Sequence, residues 1–534
     1  MCPWFPRPAE NATWTLQLNG NKAYAEILVS HAMTYDGFIL ESWDVSAAFL
    51  QGFNFTEMTK MATELGVQLN TITRKAYIVP PQNVWFHLRN MGFISKQLDT
   101  FYLCLELLKA MYGLVDAPLL WQLCLRWYLI HHCKATQSAY DDNFYFWKQG
   151  NRLTAEMSTH IDDGCVAGLP EILEWLRKEL EKRFGPMKRQ TLPFNHVGVY
   201  YEMITINNQP TLKMGQQKFC NDIQLISIDP ARKHHPSLPL TAAETTQLRA
   251  ALGALLFLLI TRGDLISEVV TLQTFINQAQ IQHLKQANLI IGRAKQTPDR
   301  GLLFRKLTPP LRILSIGDSS FATSKTSYAI EGKLELITED RPFDIKPGKL
   351  SVASTNNFLG VTAHILIMTA KKAKRISHST SHAESLTAHN CLTDAETISM
   401  RFTEIFSQQK LNITDLIKYE DMAVYDLPID HLTDCMDLVD LWTGQRGAPQ
   451  DRSQRLIILS LREKRMIHKL RHLLHVDTKD MAANRLTKFD GKDYALLHLL
   501  DFGSLNFKQQ ATLRPRPQDR WHIYNEDDLH STVS

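Results

Sequence analysis

The spacing of hydrophobic positions along the chain changes repeatedly, and each change marks a predicted element. Asn21 to Met33 has the pattern of a short helix, and Phe38 to Val45 that of a buried strand with Asp44 near its end; Ala47 to Gly52 then leaves the strand. A looser stretch closes at Tyr77-Ile78-Val79-Pro80-Pro81, where the prolines stop any regular element. Leu103 to Met111 is apolar enough for a helix, interrupted by Tyr112-Gly113. Leu119 to His131 resumes with an apolar face that includes Trp121, Leu125 and Tyr128. Met157 to Gly168 reads as two apolar runs around a bend, with Asp163-Gly164 as the hairpin signal, because glycine takes positive φ freely.

Pro170 starts an amphipathic helix with Ile172, Trp175, Leu176, Leu180 and Phe184 on one face and Gly185 as its stop. Thr241-Ala-Ala-Glu244 is a capping box before a long apolar helix, and more helix is expected from Asp264 to Arg293. Near Thr297-Pro298 a new domain begins and strand-like runs take over, at Leu311 to Ile316, Tyr328 to Ile337 and Val361 to Met368. Ser381-His-Ala-Glu384 opens a helix, Leu432-Thr433-Asp434 closes an apolar stretch, and Leu456 to Leu474 reads as helical and basic. The tail after residue 490 is polar, contains Pro515 and Pro517, and is expected to be partly disordered.

Composition narrows the class without naming a function. A chain of 534 residues is too long for one core, and 44% hydrophobic with 21% charged residues is ordinary for a globular protein. A net charge of +4 is compatible with a polyanionic partner but too small to argue for one. The eight cysteines form no Cys-x-x-Cys pair, which speaks against a zinc module or a secreted disulfide framework and suits a reducing, intracellular compartment. His131-His132-Cys133 lacks a distant second pair of ligands. The first 16 residues are too broken for a signal peptide, and the apolar run Ala250 to Ile260 is too short for a membrane span, so no membrane partner is expected.

Chemistry enters with Asp44, Asp162 and Asp163. An Asp-Asp-Gly bend is often just a solvated turn. One aspartate at a strand end and two on a neighbouring hairpin can instead converge on a pair of magnesium ions, which activate a primer hydroxyl and neutralise a triphosphate. Phe49, five residues past Asp44, would lie under the sugar of an incoming nucleotide. Trp121 and Tyr112 read equally well as core aromatics.

Three runs occur in order: Asp44-Val-Ser-Ala-Ala-Phe-Leu-Gln-Gly52, Lys109-Ala-Met-Tyr-Gly-Leu-Val-Asp-Ala-Pro-Leu-Leu-Trp121 and His160-Ile-Asp-Asp163. Together with Val79-Pro80-Pro81, Phe194-Asn-His-Val-Gly198 and Thr261-Arg-Gly-Asp-Leu265, they resemble the reverse transcriptase of copia-type LTR retrotransposons. The resemblance implies a right-hand polymerase palm with Asp44, Asp162 and Asp163 as catalytic metal ligands for Mg2+ or Mn2+. Tyr112, Gly113 and the helix after them would lie against template and nucleotide. This chain departs from the family at His160-Ile161, at Val115-Asp116 and at Leu119, and the last two changes remove positive charge from a nucleic-acid surface. Only 43 residues precede Asp44, so truncated fingers are expected.

A second set is Asp318, Glu384 and Asp434, carboxylates on separate elements, the arrangement by which an RNase H fold gathers two metals for phosphodiester hydrolysis. Glu384 is also the fourth residue of a Ser-x-x-Glu capping box. Gly317-Asp-Ser-Ser-Phe-Ala322, Ser379-Thr-Ser-His-Ala-Glu-Ser-Leu386, Thr433-Asp434 and His475-Val-Asp-Thr-Lys-Asp-Met-Ala-Ala-Asn-Arg-Leu-Thr-Lys488 resemble the RNase H domain that follows in the same elements. Asn484 stands where the family has a fourth aspartate. An amide brings oxygen but no charge, so weaker binding of one metal is expected.

The implied fold class is α+β, a right-hand polymerase palm and thumb followed by an α/β RNase H-like domain with a mixed sheet. The expected domains are a palm over 1–205, a helical thumb or connection over 206–300, an RNase H-like domain over 301–490 and a tail over 491–534. The implied function is RNA-directed DNA polymerisation with RNase H cleavage, on RNA template, DNA primer, RNA/DNA hybrid and dNTPs. The alternative is a catalytically inactive remnant or co-opted nucleic-acid-binding scaffold. A nuclease using only the second carboxylate set would leave everything before residue 300 unexplained.

Overall fold

Period-two burial builds the first sheet. The computed structural model of the chain describes residues 15–67, 75–321, 328–341, 351–352, 360–489 and 494–507. Helix α1 (Thr15–Thr34) leads into strand β1 (Ile39–Val45). Strands β2 (Thr136–Gln137), β3 (Phe144–Gln149), β4 (Arg152–His160), β5 (Asp163–Gly168) and β6 (Met187–Thr191) join it in the antiparallel order β2-β3-β4-β5-β1-β6. Along β3, Phe144 and Phe146 enter one core while Tyr145 and Trp147 enter another; along β5, Cys165 and Ala167 face away from Val166 in the same way. Helices α2 (Ala117–His131) and α3 (Pro170–Phe184) cover one face through Trp121, Tyr128, Leu176 and Phe184, side chains worth roughly 1.5–3 kcal/mol each when fully buried. The expected face of α3 is rotated slightly, since Leu173 is buried where Trp175 is 40% exposed.

A second antiparallel sheet follows. Its strands β7 (Phe194–His196), β8 (Val199–Ile206), β9 (Gln209–Gly215) and β10 (Leu302–Arg305) lie in the order β10-β9-β8-β7. A boundary at 205/206 therefore falls within the β8–β9 hairpin, and β10, beyond residue 300, completes the same sheet. Between β9 and β10, helices α4 (Ala242–Leu258), α5 (Ile266–Thr274) and α6 (Ile281–Gln296) enclose a core of their own around Leu248, Leu255, Leu284 and Ile291. The capping box at α4 forms: the Thr241 hydroxyl accepts from the Glu244 N–H at 3.3 Å, and the Glu244 carboxylate accepts from the Thr241 N–H at 2.8 Å. The helix expected over 264–293 is broken, because a 3-10 turn over Ile276–Gln278 and extended Ala279 and Gln280 separate α5 from α6.

The third sheet is mixed. Strands β11 (Leu311–Ser320), β12 (Ile330–Glu339) and β13 (Val361–Lys372) are antiparallel neighbours, while β14 (Ile429–Thr433) and β15 (His472–His475) run parallel to β11, giving the order β15-β14-β11-β12-β13. Helix α7 (Thr380–Phe406) crosses it, and α8 (Met436–Trp442) and α9 (Arg452–Met466) link β14 to β15. The class is α+β, as expected, with antiparallel sheets first and a mixed sheet crossed by helices last.

Two further expectations are corrected. Leu105–Leu107 is a strand paired with Ala76–Ile78 rather than part of a helix, its half-buried and exposed positions alternating. The run expected to be helical to Leu474 ends at Met466; His468 adopts positive φ, and Leu473 and Leu474 are buried in β15. Of the tail, residues 494–507 are folded, with helix Tyr494–Phe502 and strand Ser504–Leu505 on the edge of β13; residues 508–534 lie outside the described ones.

One hydrophobic cluster runs from Ile27 through Leu40, Phe144, Leu212, Phe304 and Ile313 to Phe507, so α1 and all three sheets share a core. Polar contacts reinforce the junction. Ser138 and the Ala139 N–H both donate to Glu404 on α7 at 2.7 Å, and Lys148 donates to the carbonyls of Glu404 and Ser407 at the negative end of that helix. His364 on β13 accepts from the Ser30 hydroxyl at Nδ1 (2.8 Å) and donates from Nε2 to the Arg305 carbonyl (2.6 Å).

Candidate active sites

In the first sheet, register alone puts the carboxylates together. Asp44 on β1 lies directly across from Asp163 on β5, and His160 across from Asp163 closes the hairpin. Residues facing each other across an antiparallel pair share a face, so Asp44 and Asp163 are side-by-side neighbours. The two-residue turn is Ile161-Asp162, not Asp163-Gly164. Ile161 takes φ of 58°, the requirement of a type II′ turn at its first central residue and unusual for a β-branched side chain. Gly164 has a different role: it sits in the strand where a Cβ would approach the Met157 methyl to 2.7 Å.

The strained turn is held from two sides. Buried Trp121 on α2 donates its indole N–H to the Ile161 carbonyl at 2.7 Å, and the Val45 N–H donates to the Asp162 carbonyl at 3.2 Å. The Phe49 and Tyr112 rings meet with centroids 4.7 Å apart. Burial raises the Tyr112 phenol, and the charges of Asp162 and Asp44 raise it further. Asp163 is likewise raised, first by burial, then by Asp162 and Asp44, with His160 and Lys188 pulling the other way. Lys188 on β6 stands directly across from Asp44 on the side away from Asp163, making a row Asp163, Asp44, Lys188 on one face. Gly113 takes φ of 96° in the loop after Tyr112.

In the third sheet, Asp318 lies within β11, two residues before its end, and is fully buried. The adjacent Gly317 lets α7 come close: a Cβ there would stand 2.8 Å from the Cys391 sulfur. Glu384 is the fifth residue of α7, not the third position of a capping box; Ser379 is the cap, its hydroxyl accepting from the His382 N–H, and Glu384 instead accepts from the Ser319 N–H at 3.3 Å. Asp434 follows β14, and its carbonyl faces His475 Nε2 at 3.2 Å. Burial raises Asp318 to about 6, with Asp434 adding to the rise and Lys488 and Thr487 opposing it. Glu384 is pushed well above the carboxylate range by burial, then by Asp318 and Asp434. The three carboxylates thus sense one another although they come from three elements.

A short helix, α10 (Asn484–Thr487), closes this site. Thr487 donates its hydroxyl to Asp318, and Lys488 reaches Asp318 Oδ1 at 3.1 Å. Asn484 is 3% exposed, and its side-chain oxygen is buried with no donor among the described residues. Arg485 anchors the helix to α5, donating to Glu268 at 2.6 Å, and Arg293 of α6 shares that carboxylate.

Among the described residues, no three histidine, cysteine or acidic side chains already stand as a group able to hold a metal ion. The donor chemistry nonetheless suits a hard divalent cation: each set offers carboxylate oxygens, those of Asp163, Asp318 and Glu384 raised chiefly by burial and further by neighbouring carboxylates, and the second adds the buried oxygen of Asn484. His131, His132 and Cys133 hold no such arrangement; His131 and His132 pack on Trp127, and Cys133 is buried. Sequence reading missed Lys188 and the contact of Lys488 with Asp318, because both depend on pairing partners distant in the chain.

No family model matches the chain. The retrovirus-related Pol polyprotein from transposon RE1 of Arabidopsis thaliana is 25% identical over 376 residues, which are 68% of this chain and 21% of that protein. The corresponding polyprotein from transposon RE2 of the same plant is 23% identical over 376 residues, 68% of this chain and 22% of its own length. The chain thus spans only 21–22% of the curated relatives it matches. Among solved structures, the foamy viral protease-reverse transcriptase dRH in complex with double-stranded DNA aligns with 89% of this chain and 61% of its own, at 10% identity and a TM-score of 0.42.

Proposed function

For a chain whose homologues are the Pol polyproteins of copia-type transposons, we propose RNA-directed DNA synthesis at the first carboxylate set and cleavage of RNA/DNA hybrid at the second. The observation that carries the first activity is Asp44 standing across from Asp163 at the tip of a pinned hairpin. Asp44, Asp162 and Asp163 would hold Mg2+ or Mn2+. Such ions, when bound, offset the charge of a triphosphate and stabilise in-line displacement. Phe49 and Tyr112 form an aromatic step beside these carboxylates, suited to the sugar of an incoming dNTP. Lys188, across from Asp44 on the next strand, puts a positive charge beside the set. At the second set, Asp318, Glu384 and Asp434 would hold the metal, and Thr487 fixes the orientation of Asp318.

The test is primer extension on an RNA template with a DNA primer. The unchanged chain should extend, and Asp163→Asn should lose activity by about 100-fold or more while keeping its fold. A second reading, a catalytically silent nucleic-acid-binding scaffold, is favoured by Asn484 and by the lysine seated on Asp318. Retained hybrid binding without extension or cleavage would select it.

A further inference from the structure

The hydrolysis site contains its own cation. Lys488 is only partly exposed, its ammonium lies 3.1 Å from Asp318 Oδ1, and it acts electrostatically on Asp434 and Glu384 as well. It is held there by construction. Thr487 beside it donates to the same aspartate, and the helix that carries both is tied to α5 through Arg485 and Glu268. One helical turn earlier, Asn484 contributes a buried oxygen that carries no charge and receives no hydrogen bond from the described residues.

Charge counting then decides how many ions can enter. Asp318, Glu384 and Asp434, when ionised, carry three negative charges, and Lys488 offsets one of them. The remainder matches a single divalent ion. With Lys488 in place a second ion would leave two net positive charges on a largely buried site, against one without it, and the larger excess is the costlier away from bulk water. We infer that Lys488 takes the place of a second divalent cation, so that this site binds one metal ion where a two-ion site would otherwise form. The inference rests on the proposed reading of these carboxylates as metal ligands. The ammonium balances charge and holds Asp318 in place; it transfers no proton and forms no bond.

The experiment counts ions. The whole chain with Asp162→Asn and Asp163→Asn, which removes the palm ligands, is titrated with Mn2+ at pH 7.5. Free ion is read by electron paramagnetic resonance and heat by calorimetry, and the same chain with Asp318→Asn added serves as the blank. One ion per chain above the blank is expected. Lys488→Met should tighten that ion by about tenfold or more and admit a second, as expected for loss of a nearby positive charge. Lys488→Arg, which keeps the charge and guards against a folding artefact, should retain one. Two ions in the parent chain, or a Lys488→Met isotherm identical to the parent's, would overturn the inference while leaving the site a metal site. No ion above the blank in any variant would overturn both.

Discussion

Ile161 shows how much a single residue can reveal that its neighbours conceal. The sequence signal for the hairpin was Asp163-Gly164, because glycine pays no steric cost at positive φ. The chain instead bends one residue earlier, with a β-branched side chain at 58°. Such a conformation persists only where its surroundings over-determine it, and here the Trp121 indole and the Val45 N–H do so. Trp121→Phe should therefore destabilise the protein by about 1–2 kcal/mol, the cost of leaving a part-buried carbonyl unpaired. It should also slow primer extension more than Leu125→Met, a core change of similar burial. Urea denaturation and single-turnover extension would measure the two effects. The strand end at Asp44 and the hairpin at Asp162 and Asp163 are legible in sequence because their patterns are local. Lys188 is not, since its relation to Asp44 exists only through strand register.

At the scale of elements, the third sheet has a polar direction. Register carries Ser319 across Glu331 to Lys371, so the basic run Lys371, Lys372, Lys374 and Arg375 leaves β13 at the same end of the sheet as Asp318. Two strand spacings, on the order of 10 Å, separate Lys371 from the carboxylate strand, a reach suited to phosphates flanking a cut. Replacing Lys371, Lys374 and Arg375 with alanine should weaken hybrid binding and reduce its salt dependence by up to three ion equivalents, with the melting temperature unchanged. Fluorescence anisotropy across a salt series would read both; an unaltered slope would remove this edge from the interface. The long amphipathic pattern of α3 and the extended apolar runs of β11 and β12 are legible in sequence. Leu105–Leu107 and β15 are not, because short apolar runs fit either period and tertiary pairing decides between them.

The whole molecule is joined through α1. His364, where α1, β10 and β13 meet, is held neutral down to about 3, chiefly by burial, with Arg305 and His31 adding to the effect and the bond to the Arg305 carbonyl opposing it. The unfolded chain binds this proton below pH 6.5 and the native chain does not until about 3, so the native state loses stability as pH falls through that window. The loss is on the order of 3 kcal/mol by pH 4. His431, lowered to about 3, and His196, lowered to about 4, act in the same direction. His364→Gln should flatten the melting temperature between pH 7 and pH 4 relative to the parent; a parallel curve would show that another group dominates. Sequence reading expected separate domains. It could not show that their apolar faces close on one another, because each face alone has the pattern of an ordinary domain core.

That shared core from Ile27 to Phe507 governs how such a chain decays once selection relaxes. A cavity opened beneath any of the three sheets lowers the amount of folded protein, so the two proposed activities would fade together. An exchange that spares the packing, such as Asp163→Asn or Glu384→Gln, would instead remove one proposed activity and leave the other.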